Sequence, residues 1–348
     1  MRVKEEASEI WHNLPVHGDS YGIHWMAAEY HSGLVSIVIP TYNRANFLLD
    51  CLRSVLDQTY RPIEIILVDD GSTDSTSAVV ERWRASLTDD AFIFVFIRQE
   101  NQGANVARNR ALLRSRGEYI QFLDSDDVLL PTKLSRGVSA IRSQHADFAY
   151  CPVLFRDEKL RAIPGSFGKP MSGNDSDITT YLWQTMCPVY SRHAVRAIGP
   201  WMESIFFADD WEYATRTKLL GFQGFFDDMI GGFIRVYARQ ERSTHATLLR
   251  EAADSFQAYQ HITELAARLN RLSGKLSARL ANRFLIASLQ FGRCGDFDNQ
   301  RHALEVVMRL APKKSLARRI AVIWPKIPST LLPGIALNVI KRAQRFVG

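Results

Sequence analysis

Three aspartates fall within four positions at Asp124-Ser125-Asp126-Asp127, directly after the mostly apolar run Tyr119–Leu123. Carboxylates this close repel one another and are seldom buried without a partner. If the chain is still extended there, Asp124 and Asp126 share one side. Two oxygen donors aimed at one point suit a hard divalent cation, Mn2+ or Mg2+, whose other ligands come from phosphate and water. The plainer alternative is an acidic turn or a cap on the next helix. A second acidic pair, Asp209-Asp210 in "ADDWEYATR", could cap the helix that follows it.

The elements that must position these acids are legible upstream. Short apolar runs at 33–40, 63–72 (ending in a turn), 91–99 and 118–127 read as strands. Between them, apolar residues at helical spacing mark helices over 45–60, 72–87 and 103–117, the last with Gly117 as a stop. Four strands alternating with three helices imply parallel βαβ units and a sheet covered on both faces. Ligands on such sheets sit beyond the carboxyl ends of the strands. The polar segments "PTYN", "VDDGSTD", "QENQG" and "DSDD" all fall at those ends, on one rim. Further strands are expected at 145–155 and 231–238, as antiparallel additions, and helices from about 248 to 310.

The chain has 348 residues, 46% hydrophobic and 23% charged, a globular composition with room for one large and one smaller domain. Its four cysteines are scattered with no Cys-x-x-Cys pair, which favours reduced, buried thiols in a cytoplasmic protein over a disulfide frame or zinc site. The first residues carry charges and a proline where a signal peptide needs an apolar core. Net charge is +6, but Val306–Gly348 contains nine Lys or Arg and no acid, so the remainder is slightly acidic. No Walker A loop or Rossmann glycine fingerprint is present, which disfavours ATPase and dehydrogenase functions.

The segments "VSIVIPTYNRANFLLDCLRSVLDQTYRPIEIILVDDGSTDST", "NQGANVARNRAL" and "GEYIQFLDSDD" occur in an order and spacing that resembles the family 2 nucleotide-sugar glycosyltransferases of GT-A fold, over residues 34–135. "ADDWEYATR" is similar to a downstream segment of the same family. The resemblance implies an N-terminal extension over 1–33, a GT-A catalytic domain over 34–248 with a mostly parallel α/β sheet, and a helical, basic region over 249–348. It implies that Pro40, Thr41 and Tyr42 line the nucleotide pocket, and that Asp70 bonds the base while Asp69 shapes the turn. Arg108 would approach the diphosphate, Gly103 would allow close backbone approach, and Ser125 would lie in the nucleotide site. Asp124 and Asp126 would be the D-x-D pair for Mn2+ or Mg2+, Asp126 the more direct ligand. Asp210 would be the catalytic base and Asp209 an acceptor-binding acid. Family members often carry Arg-x-His near the last core strand; in Val236–Ala246, Glu241 stands about where that His would fall and His245 is offset.

The function implied is inverting transfer from a nucleotide-sugar donor, with UDP favoured by analogy. The acceptor is a glycan or lipid-linked hydroxyl in polysaccharide or lipopolysaccharide synthesis for the cell envelope. A sugar-phosphate nucleotidyltransferase would share the metal but commonly has a Gly-rich loop after its first strand, and "PTYNRANF" has no glycine. A non-catalytic sugar-nucleotide binder would need neither a base nor a metal, and a glycoside hydrolase would need no nucleotide segments. The basic tail alternates cationic clusters with apolar patches, which suits peripheral contact with an anionic membrane on its inner face and not nucleic acid.

Overall fold

The computed structural model describes residues 30–87, 92–172, 178–237 and 245–323, which form two compact units. The first comprises the described residues up to Pro170, Leu182–Ser204 and 220–237. The second comprises those within Met171–Tyr181, Ile205–Leu219 and those from His245 onward.

In the first unit, β1 (His31–Thr41), β2 (Ile63–Asp69), β3 (Phe92–Arg98) and β4 (Gly117–Phe122) lie parallel in the order β4-β1-β2-β3. β2 is buried along its whole length, as are the last eight residues of β1, so both faces of the sheet need cover. Helix α1 (Leu48–Leu56) turns Leu48, Cys51, Leu52 and Val55 inward. Helix α2 (Thr76–Ala85) sets Trp83 edge-on to Phe94 of β3, 5.0 Å between ring centres. Helix α3 (Ala104–Arg114) buries Ala107, Arg108, Ala111 and Leu112. It stops at Ser115, ahead of the expected Gly117. That glycine instead opens β4, where a Cβ would lie 2.5 Å from the Ser36 hydroxyl of β1.

β5 (Val128–Leu129) and α4 (Lys133–Gln144) follow. The single strand expected over 145–155 is two, β6 (Phe148–Tyr150) and β7 (Val153–Arg156), in different sheets. Pro152 has no N–H with which to continue a ladder, so the chain changes sheet there. β8 (Ala162–Phe167), β9 (Pro188–Ser191), α5 (Arg192–Ile198), β10 (Gly224–Phe226) and β11 (Gly232–Arg235) complete the unit. The main sheet reads β10-β6-β9-β4-β1-β2-β3, with β9 antiparallel to both neighbours. A smaller sheet reads β5-β11-β7-β8. There the strand expected over 231–238 is β11 alone, parallel to β7 and antiparallel to β5.

The second unit is helical: α6 (Asp209–Leu219), α7 (His245–Arg268), α8 (Gly274–Arg293), α9 (Phe297–Leu310) and α10 (Leu316–Ile323). All four cysteines are buried and free.

Backbone strain and space can be separated at two rim glycines. Gly71 follows β2 with φ +78°, and a Cβ there would lie 2.9 Å from the Asn101 nitrogen; Gly103 has φ +100° with nothing within 4 Å. Gly71→Ala should cost about 2–4 kcal/mol from strain plus clash, and Gly103→Ala about 1 kcal/mol from strain alone. Equal losses in urea unfolding would contradict this.

Candidate active site

The rim begins where β1, β2 and β3 end in register, with Thr41 opposite Asp69 and Asp69 opposite Arg98. Asp69 is fully buried and accepts hydrogen bonds from the Ser72 N–H (2.9 Å) and the Ser77 hydroxyl (2.6 Å), which folds the turn after β2. Asp70 accepts from the Gln99 side chain (2.8 Å) and from the N–H groups of Gln102 (2.9 Å) and Gly103 (2.8 Å). It therefore pins the loop that starts α3, and Gly103 supplies the left-handed backbone that presents that N–H. Asn43, which sequence reasoning missed, ties the first two rim loops together. Its side-chain oxygen accepts from the N–H of Thr73 at 2.8 Å, and its own N–H donates to Ser72. Pro40 is buried, Tyr42 is 43% exposed at the rim, and the Thr41 hydroxyl is buried without a hydrogen-bond partner.

The acidic segment differs from the extended reading. β4 ends at Phe122, and the Asp127 N–H donates to the Asp124 carbonyl at 3.0 Å, so 124–127 is a turn. Each acid then finds its own partner. Asp124 accepts from Arg108 at 2.7 Å; that guanidinium is 6% exposed, also donates to Asn105 at 2.7 Å, and lies 4.7 Å from the Trp201 ring centre. Asp126 accepts from Arg44 at 3.0 Å and from the Tyr237 hydroxyl at 2.6 Å. Arg235, at the end of β11, donates to the Asp126 carbonyl at 2.9 Å and to Asp50 at 2.9 Å. Its N–H donates to Asp127 at 3.0 Å.

Burial, followed by the charge of Asp126, pushes the Tyr237 phenol well up, so it stays a donor. Burial and the charges of Asp126 and Asp124 likewise push the Asp127 carboxyl well above the ordinary range. Ser125 is buried within the same turn. The sequence pointed to the acids and Arg108 but not to Arg44, Arg235 or Tyr237, and to Glu241 or His245 as a last-strand partner. Glu241 lies outside the described residues, and His245 is the first residue of α7.

In the second unit, Asp209 and Asp210 occupy the first turn of α6, where carboxylates favour the helix dipole. Asp210 accepts from the Tyr181 hydroxyl and from the Trp211 N–H. Ala208, just before them, has φ +61°, a conformation that costs a non-glycine residue about 1 kcal/mol or more. Further along α6, Glu212 is fully buried between Arg216 (2.8 Å) and His261 of α7 (2.9 Å). Asp254 of α7 holds the segment before α6 by accepting from the N–H groups of Phe206 (2.8 Å) and Phe207 (3.1 Å).

Among the described residues no three or more His, Cys, Asp and Glu side chains are grouped to hold a metal. Asp124 engages its arginine through Oδ1 alone, and Asp126 its partners through Oδ2 alone, so each keeps one carboxylate oxygen for another ligand. Carboxylate oxygens are the donor type a divalent cation takes, its shell being completed from phosphate and water.

Residues 36–195 match the family model described as glycosyl transferase family 2. This segment is a family 2 glycosyltransferase domain. The family 2 segment is shared with TuaG of Bacillus subtilis, named for teichuronic acid biosynthesis, at 39% identity over 34% of this chain and 45% of that protein. WfaP of Escherichia coli is 36% identical over 42% of this chain and 56% of its own length; it is named as a beta-1,3-glucosyltransferase using UDP-Glc and GlcNAc-diphosphoundecaprenol. The match thus spans about half the length of these relatives. Among solved structures, the mannosyltransferase PcManGT of Pyrobaculum calidifontis, in complex with GDP-Man and Mn2+, superposes with a TM-score of 0.51 at 18% identity, covering 99% of this chain and 89% of that one. The fold is therefore GT-A, helical C-terminal region included. The family 2 match takes in the rim and the acidic turn but not Asp209, Asp210, Arg235 or Tyr237.

The buried cluster next to Asp210 yields a test by pH. Burial opposes the charge on Glu212, but Arg216 and then His261 outweigh it and hold the carboxyl below its usual range. A lowered carboxylate stabilises the fold above the unfolded value, near about 4.3, and that contribution fades as pH falls through the folded value. Glu212→Gln should lose about 3 kcal/mol at pH 7, since it removes the buried negative charge that Arg216 and His261 both bond. The gap to the native chain should close below about pH 4 in thermal melts.

Proposed function

We propose that this chain is an inverting glycosyltransferase that moves a sugar from a nucleoside diphosphate, UDP by family preference, to a hydroxyl of a glycan or lipid-linked acceptor. The pathway class is assembly of cell-surface polysaccharide or lipopolysaccharide, in keeping with the names of the family 2 relatives. One observation carries the reading. Four polar strand ends meet at one rim, and the acidic turn there keeps two carboxylate oxygens for a ligand while its remaining charge is balanced by arginines.

Tyr42 offers an exposed ring to the base, and the buried Thr41 hydroxyl offers an unused donor and acceptor beside it in sequence. Asp70 already accepts three donors from its own chain, so a base N–H would be a fourth; its first task is to shape the loop at Gly103. Asp126, with Asp124, would hold Mn2+ or Mg2+. A bound divalent ion would offset the charge that develops on the leaving diphosphate. Arg108 lends positive charge to the same rim through its pairing with Asp124. Asp210 accepts the proton of the attacking hydroxyl, and Asp209 binds the acceptor. Attack opposite the leaving group inverts the anomeric carbon with no covalent intermediate.

No helix among the described residues is long and apolar enough to cross a membrane. We assign contact with an anionic inner membrane face to the basic stretch Val306–Gly348, whose part beyond 323 lies outside the described residues.

Thermal shift against UDP, GDP and dTDP, each with and without Mn2+, should show the largest rise for UDP with metal. No response to any nucleotide would refute the donor. Asp126→Ala and Asp210→Ala should each lower transfer at least about 100-fold while leaving the melting temperature within a few degrees; full activity in either would remove that residue from the mechanism.

A further inference from the structure

The two acids of the Asp124–Asp126 pair are neutralised in different ways. Arg108, the partner of Asp124, is 6% exposed, fixed by Asn105 and packed on Trp201. It has no room to leave. Arg44, the partner of Asp126, is 37% exposed and reaches the carboxylate from the loop after β1 through a single Nε bond of 3.0 Å. Its Nη1 also donates to the neighbouring Asn43 carbonyl at 3.3 Å and its guanidinium lies 5.7 Å from the Tyr237 ring centre, but its backbone is separately anchored, the N–H donating to the Thr76 hydroxyl at 2.9 Å, so the side chain can swing without unravelling the loop. Tyr237 holds Asp126 independently at 2.6 Å, and its ring packs edge-on against Phe47 at 5.4 Å. Arg235 is tied by Asp50 and by the carbonyls of Asp126 and Glu158, its side chain 2% exposed.

We infer that Arg44 is a placeholder cation: it occupies Asp126 when the site is empty and turns onto the donor diphosphate when a divalent ion takes the carboxylate. This rests on the donor reading above. A guanidinium left beside a metal would meet like charge with its counter-ion already claimed, and a planar fork of donors is well matched to phosphate oxygens. Tyr237, being neutral, has no such reason to move. It is a positioning residue that keeps Asp126 in place through the exchange.

The test separates this role from two simpler ones by sign. Calorimetric titration of the full chain is run with MnCl2 alone and with UDP in saturating Mn2+. Arg44→Ala should bind Mn2+ alone about threefold more tightly, because a competing cation is gone. It should bind UDP with Mn2+ about tenfold more weakly, because a charged hydrogen bond to phosphate is lost. Arg44→Gln repeats both signs with the side-chain bulk retained. If both affinities rise, Arg44 is only a competitor; if both fall or neither moves, it is only a structural partner of Asp126; each of these overturns the inference. A native chain that binds neither Mn2+ nor UDP refutes the donor reading itself and takes the inference with it.

Discussion

Compensation of charge at the end of β4 is the constraint on which the rest of the first unit turns. Burying β4 within a sheet covered on both faces delivers Asp124 and Asp126, partly buried, and Asp127, buried, to one rim. Carboxylates in such a place need cations close by, and the chain sends them from three directions: Arg108 from α3, Arg44 from the loop after β1 and Arg235 from the end of β11. Those elements must converge for Asp124 and Asp126 to have their ion pairs and for Asp127 to have its backbone donor. Asp127 has the deepest position and the least compensation, and its carboxyl is accordingly driven toward the neutral form, by burial first and by its two neighbours second. The same argument explains why the rim loops are so heavily cross-linked. Asn43, Asp69 and Asp70 spend their polar groups on neighbouring loops, which fixes the backbone from which Arg44 and Arg108 reach.

Periodicity made the parallel core legible, because β1, β2, β4 and α1 to α3 each hide one face or two and show it in their spacing, while the half-buried edge strand β3 shows it in composition. The convergence of four strand ends on one rim follows from the same logic and is present in the register. What escaped was long-range and side-chain specific. Arg44 meets Asp126 across 82 positions and Tyr237 meets it across 111, and no local spacing encodes either pairing. The extended geometry assumed for Asp124 and Asp126 failed because the strand stops at Phe122 and a backbone hydrogen bond closes the turn. The sequence did hold one usable hint: Arg235-Val236-Tyr237 places an Arg-x-aromatic at the end of the last strand, nearer to it than Glu241 or His245.

In the second unit the same physics recurs with other residues. Helix α6, which begins with Asp209 and Asp210, groups with the C-terminal helices. Asp254 and His261 of α7 grip it and the segment before it, while Arg283 of α8 donates to the Thr179 carbonyl that also accepts the Trp211 indole N–H. A helix whose propensity is marginal in water is thereby fixed by buried charge and hydrogen bonds, and Ala208 is held in a left-handed conformation as part of that grip. From sequence the C-terminal helices read only as a helical, basic region after the catalytic domain. Their contacts with α6 make them the support of the proposed base.

We infer that the acid pair has one fixed and one exchangeable cation. Crystals of the full chain grown with UDP and Mn2+, with anomalous data collected at the manganese edge, would test it most directly. The expected result is a manganese peak on Asp126, the Arg44 guanidinium moved onto diphosphate oxygens, and Arg108 still bonded to Asp124. Bound UDP with no metal peak at the turn, and Arg44 still on Asp126, would contradict it.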